Sequence, residues 1–292
     1  MNLVLKRKIV IASCIFEDWG GSEELWAKAI PLLQSAGIQV CVMKHKINRK
    51  HPKFVELAKK GVMLEEYEPK KQELSFISRA SLRLYKAAAS KLGQKKKKRA
   101  DYAFTEKILE TAPDLVVVAQ GINFDGLGNA YQCALHGIPY VIVAQKAVDF
   151  FWPKHFERTY MKEALRSAEK CFFVSKHNAT LTEEQFGMRL SNAEIIQNPV
   201  KIKNGVIAYP DVSGQFNLAC VGRLFLLDKG QDILIRILAQ SKWQERPVKV
   251  TFIGTGEDQE GLQEMAALLN VKNVEFIGHV DNIERVWETT TP

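Results

Sequence analysis

Along the chain, short runs of apolar and mostly β-branched residues alternate with longer stretches in which apolar positions fall three and four residues apart. The runs Lys8–Phe16, Ile38–Met43, Gly61–Leu64, Leu115–Ala119, Tyr140–Ala144, Cys171–Val174, Phe216–Val221, Val248–Ile253 and Val274–Ile277 predict strands. Between them, Leu25, Trp26, Ala29, Ile30 and Leu33 share one helical face, as do Leu262, Met265, Ala266 and Leu269. Ile233, Leu234, Ile237 and Leu238 form a further apolar helix pattern, and Pro31 predicts a kink inside the first helix. Strands this uniformly apolar need cover on both faces. The alternation therefore predicts an α/β fold of doubly wound parallel sheets flanked by helices.

The rhythm breaks near residues 198–215, where Asn198-Pro199 opens a stretch holding Lys201, Lys203, Asn204, Gly205, Pro210, Asp211, Ser213 and Gly214. That is linker composition. We read residues 1–200 as one domain with six strands, 201–215 as a hinge, and 216–292 as a second domain with three. Three strands make half of a doubly wound domain and leave a sheet edge open. The expectation is that the chain is a C-terminally truncated piece of a longer one.

Composition narrows the classes. The chain has 292 residues, 46% apolar and 25% charged, which excludes a disordered or collagen-like polypeptide. Net charge is +8, and it is uneven: residues 1–200 hold 31 basic and 21 acidic groups, residues 201–292 hold 10 and 12. The excess suits an anionic substrate or surface and says nothing of fold. Cys14, Cys41, Cys133, Cys171 and Cys220 stand singly in apolar stretches without a C-x-x-C pair, which suits reduced thiols. The six histidines are dispersed, so no metal site is expected. Lys6, Arg7 and Lys8 before an apolar run imitate a secretion signal, but Glu17 and Asp18 close that run at strand length. No run approaches the roughly 20 apolar residues needed to span a bilayer. A cytoplasmic protein is expected, peripheral at most on the inner face of the cell membrane.

Three strand-to-helix loops could carry chemistry. Asp18-Trp19-Gly20-Gly21-Ser22-Glu23 follows the first strand; its glycines permit close backbone approach, and the helix start offers amides to an anion. The plain alternative is a tight turn with Glu23 complementing the helix dipole. Gly222-Arg223-Leu224 and Asp228-Lys229-Gly230 place a guanidinium and an ammonium six residues apart after the first strand of the second domain, where open α/β sheets bind ligands and where both could clamp a diphosphate. Gly254-Thr255-Gly256-Glu257-Asp258 follows the next strand; it lacks the third glycine of a dinucleotide fingerprint and the Gly-Lys-Ser/Thr of a P-loop. In Gly126-Leu127-Gly128 the third glycine position is Tyr131, so classical dinucleotide binding is disfavoured.

VGRLFLLDKGQDILI (221–235), VTFIGTGEDQEGLQEMA (250–266) and VEFIGHVDNIERVW (274–287), in this order, resemble the donor-binding half of family 4 glycosyltransferases. GGSE (20–23), FVSKHNATLTEEQFG (173–187) and QNPV (197–200) are similar to the signposts of the acceptor half and hinge. The resemblance covers nearly the whole chain. It implies two Rossmann-like domains facing across a cleft, the second incomplete here, and metal-independent transfer of a sugar from a UDP- or GDP-sugar to a glycan or lipid-linked acceptor with retention at the anomeric carbon. It implies no cofactor beyond that donor substrate. By the same resemblance Arg223 and Lys229 would neutralise the diphosphate leaving group. Gly20 and Gly21 would meet the donor across the cleft, and Gly222, Gly254, Gly256 and Glu257 would line the nucleotide pocket.

Two departures from the family stand out. Its pair of glutamates seven residues apart would fall beyond Pro292, so the chain as given is expected to be inactive. Where the family often has a histidine after the fifth strand of the acceptor half, VIVAQKAVDFFWP (141–153) has Gln145 and Lys146, which can contact a sugar or acceptor; Gln145 cannot shuttle a proton. ELSFISRASLRLYKAAASKLGQKKKKRA (73–100) has the composition of a basic amphipathic helix able to lie on an anionic membrane, with a solvated loop as the alternative. The rival function is non-catalytic binding of nucleotide or nucleic acid by the basic N-terminal half. Specific nucleic-acid binding is not expected, since no aromatic platform interleaves the basic block.

Overall fold

A computed structural model of the chain describes residues 7–67, 103–199 and 214–290. The chain forms two compact units, Met1–Pro199 and Val200–Pro292.

Unit 1 is built on a seven-stranded sheet whose ladders are all parallel, in the order β3-β2-β1-β4-β5-β6-β7. The strands are β1 (Lys8–Ser13), β2 (Gln39–Lys44), β3 (Met63–Glu66), β4 (Leu115–Gln120), β5 (Tyr140–Ala144), β6 (Lys170–Phe173) and β7 (Ala193–Ile195). Six strands were expected here, and the sheet has seven. Strand β7 has only three residues and two of them are exposed at the sheet edge, so it carries no apolar run to betray it. Strand β1 stops at Ser13 rather than Phe16: Cys14 amide still donates to Ala119 carbonyl at 3.0 Å, but Phe16 is 95% exposed.

Alternate residues of each strand feed opposite faces. Ile11, Val40, Val42 and Ala119 pack with Trp26 and Ile30 of α1 (Gly21–Ser35) and Phe54 and Leu57 of α2 (Pro52–Lys59). Val10, Ala12, Val116, Val118 and Ile142 pack on the other face. Their partners come from α3 (103–111), α4 (Leu127–Leu135), α5 (Arg158–Arg166) and α6 (Lys176–Phe186). This double cover is what the uninterrupted apolar strands require. Helix α1 runs unbroken through Pro31, which lies on its exposed side, and buries Trp26 and Ile30 while Leu25, Ala29 and Leu33 are half-buried.

Unit 2 has a three-stranded parallel sheet, β10-β9-β8, from β8 (Phe216–Val221), β9 (Val248–Ile253) and β10 (Val274–Gly278). Its helices are α7 (Leu226–Lys229), α8 (Gln231–Leu238), α9 (Ser241–Gln244), α10 (Gln259–Leu268) and α11 (Ile283–Trp287). Ile235, Leu238, Leu262 and Ala266 pack on Val248, Val250 and Phe252 to form the core. The expected face of α8 is corrected. Ile235 and Leu238 are its buried apolar residues, Leu234 packs beside them, and Ile233 and Ile237 point to solvent. The core-facing stripe of an eight-residue helix runs through Gln231, Ile235 and Leu238, a spacing that the adjacent isoleucines disguise. Among the described residues β8 pairs only with β9, and an apolar cavity of about 500 Å³ lies at that edge, lined by Leu218, Cys220, Leu234 and Trp287.

Among the described residues no helix is long and apolar enough to cross a membrane, and no group of three or more His, Cys, Asp or Glu side chains is placed to hold a metal ion. The five cysteines are free thiols. The segment 73–100, expected to favour an anionic membrane, lies outside the described residues.

Candidate functional site

In each unit the loops that leave the carboxyl ends of the strands gather the candidate groups. In unit 2, Gly222 amide donates to Ile253 carbonyl at 2.9 Å and Leu224 amide to Thr255 carbonyl at 3.0 Å, so the loops after β8 and β9 lie backbone against backbone. This contact explains two glycines. A Cβ on Gly254 would stand 2.1 Å from Gly222 carbonyl oxygen, and one on Gly256 would stand 2.1 Å from Leu224 carbonyl oxygen. Gly254 also has φ +137°, open only to glycine at low cost. Asp258 then accepts from Leu226 amide at 2.8 Å, tying the second loop to the start of α7.

On this paired loop sit Arg223 and Lys229. Arg223 Nη2 lies 3.3 Å from Asp228 Oδ2, its guanidinium carbon is 5.2 Å from the Phe225 ring centre, and its side chain is 54% exposed against 8% for Asp228. The aliphatic stem of Lys229 passes beside Gly222, where a Cβ would make an ordinary contact at 3.7 Å with Lys229 Cδ. Both cations thus belong to one loop surface at the carboxyl end of β8. Gln231, 1% exposed, donates to Arg223 carbonyl at 2.9 Å and keeps its Oε1 without a hydrogen-bond partner. Glu257 lies in the second loop, and Gly230, with φ +62°, makes the turn between α7 and α8.

In unit 1, Gly20 is the N-cap of α1 in an extended conformation, and its carbonyl accepts from Glu23 amide at 3.2 Å. Gly21 has open space where a Cβ would be. Behind this turn lies a buried polar cluster that sequence reasoning missed. Glu23, 1% exposed, accepts from Ser13 hydroxyl at 2.8 Å and from Ser22 hydroxyl at 2.7 Å. Lys44, 2% exposed, donates to Ile15 carbonyl at 2.5 Å and to Ser13 Oγ at 3.4 Å. Burial holds the Lys44 ammonium below the usual lysine range, with Glu23 as the largest opposing influence. Glu23 thus does more than complement the helix dipole, since its carboxylate fastens the first turn of α1 to the end of β1. Only its pattern with Ser22 in GGSE hinted at this.

Sheet order reverses between β1 and β4, the place where doubly wound sheets open a crevice. Here the crevice is filled from within. A Cβ on Gly121 would stand 2.2 Å from Ile15 Cγ2, and one on Gly126 would stand 2.3 Å from Cys14 Sγ. Phe124 in the same loop has φ +75°, an uncommon state for a bulky residue, with its ring edge-on to Phe186. Asp125 accepts from Ile122 amide at 3.0 Å, and burial outweighs that bond to raise its carboxyl to about 6. Burial likewise drives the Cys14 thiol far above its ordinary range, away from nucleophilic use.

Gln145 and Lys146 follow β5. Gln145 carbonyl accepts from Asn178 side-chain Nδ2 at 3.4 Å, the Gln145 Nε2 is buried without a hydrogen-bond partner, and Lys146 lies beside Asn123 and Thr182. The sequence-predicted residues therefore fall into two groups: Gly222, Arg223, Lys229, Gly254, Gly256 and Glu257 are brought together in unit 2, and Gly20, Gly21, Gln145 and Lys146 lie at strand ends of unit 1.

Residues 215–291, which lie within unit 2, match the family model of glycosyl transferases group 1. No curated protein matches the chain. Solved structures share its fold. The apo lipopolysaccharide outer core galactosyltransferase WaaB has TM-score 0.62 at 18% identity, covering 97% of this chain and 71% of that one. HepE of Anabaena, crystallised with UDP, has TM-score 0.62 at 18% identity, covering 96% and 71%. TarM, which another structure assigns to S. aureus, has TM-score 0.66 at 10% identity, covering 99% and 79%.

Proposed function

We propose that the protein is a glycosyltransferase that moves a sugar from a nucleotide diphosphate sugar to a glycan or lipid-linked acceptor, with retention at the anomeric carbon and without a metal. The observation that carries this is a coincidence in unit 2: the segment matching glycosyl transferases group 1 is the one whose first strand-end loop and following helix carry Arg223, beside Asp228, and Lys229, beside Gly222. Breaking the sugar–phosphate bond gathers charge on the departing diphosphate. Fixed cations there stabilise the transition state more than the ground state. Asp228 steadies the Arg223 fork, and the Lys229 stem lies beside Gly222, so both heads are partly pre-positioned before substrate arrives. Gly222, Gly254 and Gly256 keep the loop pair low enough for a nucleotide to lie on it, and Glu257 supplies a carboxylate at its rim. In unit 1, Gly20 and Gly21 allow close backbone approach of substrate, while Gln145 and Lys146 are the acceptor-side or sugar contacts. Arg223 and Lys229 perform the leaving-group work that a divalent cation performs elsewhere, which supports a metal-free reaction.

Structures of HepE with UDP and with UDP-glucose make UDP the first nucleotide to test, with GDP beside it. Calorimetric titration of the full chain should show binding of at least one of them. Arg223→Ala and Lys229→Ala should each weaken it by about 10- to 100-fold, the range for lost charged hydrogen bonds. Heat from neither nucleotide, with an unchanged melting curve, would overturn the donor pocket. Product anomeric configuration by NMR, with and without a chelator, tests retention and metal independence. Steeply salt-dependent binding of single-stranded nucleic acid in preference to UDP and GDP would favour the rival reading.

A further inference from the structure

We infer that Gln231 is a positioning residue for the donor cations: its buried side chain clasps the segment that carries Arg223 and Lys229, and holds Arg223 in place for a diphosphate. The inference rests on the transferase reading of this loop and adds to it a residue that acts through another.

The segment leaves the end of β8, passes through Arg223 and the short helix α7 with Asp228 and Lys229, and turns at Gly230 into α8. Gln231 is the first residue of α8, is 1% exposed, and donates from Nε2 to Arg223 carbonyl at 2.9 Å. One side chain thus ties the start of the segment to its end, eight residues apart, and both cations ride on the part it closes. The next residue is anchored from the other side. Leu224 amide donates to Thr255 carbonyl at 3.0 Å, and Leu224 carbonyl accepts from Asp258 amide at 3.3 Å. The Arg223 backbone therefore stands between two fixed points, while Asp228 and the Phe225 ring steady its guanidinium.

Two observations separate this clasp from ordinary packing. Arg223 carbonyl also accepts from Phe225 amide at 2.9 Å, so it keeps a hydrogen bond without Gln231. Gln231 Oε1, by contrast, is buried with no hydrogen-bond partner. A buried amide with one end unpaired costs a desolvation that the fold does not recover. An apolar side chain of the same length would fill the space and leave neither the Arg223 carbonyl nor a side-chain oxygen unpaired. Folding alone therefore does not call for an amide at this position. What the amide supplies is a fixed link between the Arg223 backbone and α8, which spares the cation a rearrangement when charge develops beside it. Stability given up to hold a geometry is the trade expected at a functional site.

The test compares the full chain with Gln231→Met and Gln231→Leu, by thermal melting and by calorimetric titration with UDP and GDP. At least one variant should melt no lower than the parent. That variant should bind the parent's nucleotide about 3- to 10-fold more weakly. In an Arg223→Ala background the same substitution should cost no further affinity, read from nucleotide chemical shifts where heats are too small, because its effect passes through the Arg223 side chain. A merely structural role would lower melting temperature together with affinity, and would cost as much without Arg223 as with it. Lower melting in both variants, unchanged affinity, or an equal loss in the Arg223→Ala background would each overturn the clasp and leave nucleotide binding by the parent standing. Heat from neither nucleotide on the parent would overturn the transferase reading and this inference with it.

Discussion

At the residue scale, burial decides what charged groups can do. Asp125 has its carboxyl raised to about 6 from an ordinary value of 3.8, mainly by desolvation. A carboxyl with a raised folded-state pKa favours the protonated native form, so its stabilising share is fully present below pH 3.8 and is lost as pH rises through 6. Asp125→Asn fixes the neutral state. Its melting temperature relative to the parent should therefore be higher at pH 7 than at pH 4, as scanning calorimetry at the two pH values would show. Glu23 is also buried, and its carboxylate accepts from the Ser13 and Ser22 hydroxyls. Glu23→Ala would strand both hydroxyls and remove the main favourable charge near buried Lys44, at a cost of about 2–4 kcal/mol in denaturant unfolding. Neither behaviour is written in local sequence, because Ser13 and Lys44 meet across 31 residues and the loop that holds Asp125 packs against Ile15 and Cys14 through Gly121 and Gly126.

Elements join through their ends in this protein, and the ends are where glycine identity matters. Gly254 and Gly256 were read as places for a nucleotide; what the fold itself demands of them is contact with the loop after β8. Gly256→Ala drives a methyl to 2.1 Å from Leu224 carbonyl and forces the loops apart. We expect a loss of about 1–3 kcal/mol in urea unfolding, together with weaker UDP binding than in the parent. Helix α6 makes the same point from a helix interior. Ser175 caps it by accepting from Asn178 amide at 3.1 Å, and Gly187 ends it with φ +59°, both legible in FVSKHNATLTEEQFG. Gln185 near its end gives no such sign, since a glutamine in a helix usually faces water. Its value comes from two carbonyls, those of Val148 and Phe151, to which its buried side chain donates at 2.8 Å and 2.6 Å. Gln185→Ala should release that turn, detected as faster protease cleavage within 148–152 and a stability loss of about 1–3 kcal/mol.

At the scale of the molecule, each unit has its own core among the described residues, with Val10, Val116 and Ile142 in one and Val250, Phe252 and Leu262 in the other. Calorimetry should accordingly resolve two transitions, with Ile142→Ala lowering one and Val250→Ala the other; a single transition lowered by both would show that the units melt together. Most strands and the parallel, doubly covered architecture could be read directly from the chain, because burial on both sheet faces imposes uninterrupted apolar runs and the covering helices impose a 3.6-residue period. Strand-end loops rich in glycine and charge were legible for the same reason, since only certain residues can make those turns. The short edge strand β7, the true buried stripe of α8, the Glu23–Ser13–Lys44 cluster and the turn held by Gln185 depended on the folded arrangement. Each arises from groups distant along the chain that exchange water for one another only once the sheet order has brought them together, and no local pattern records that exchange.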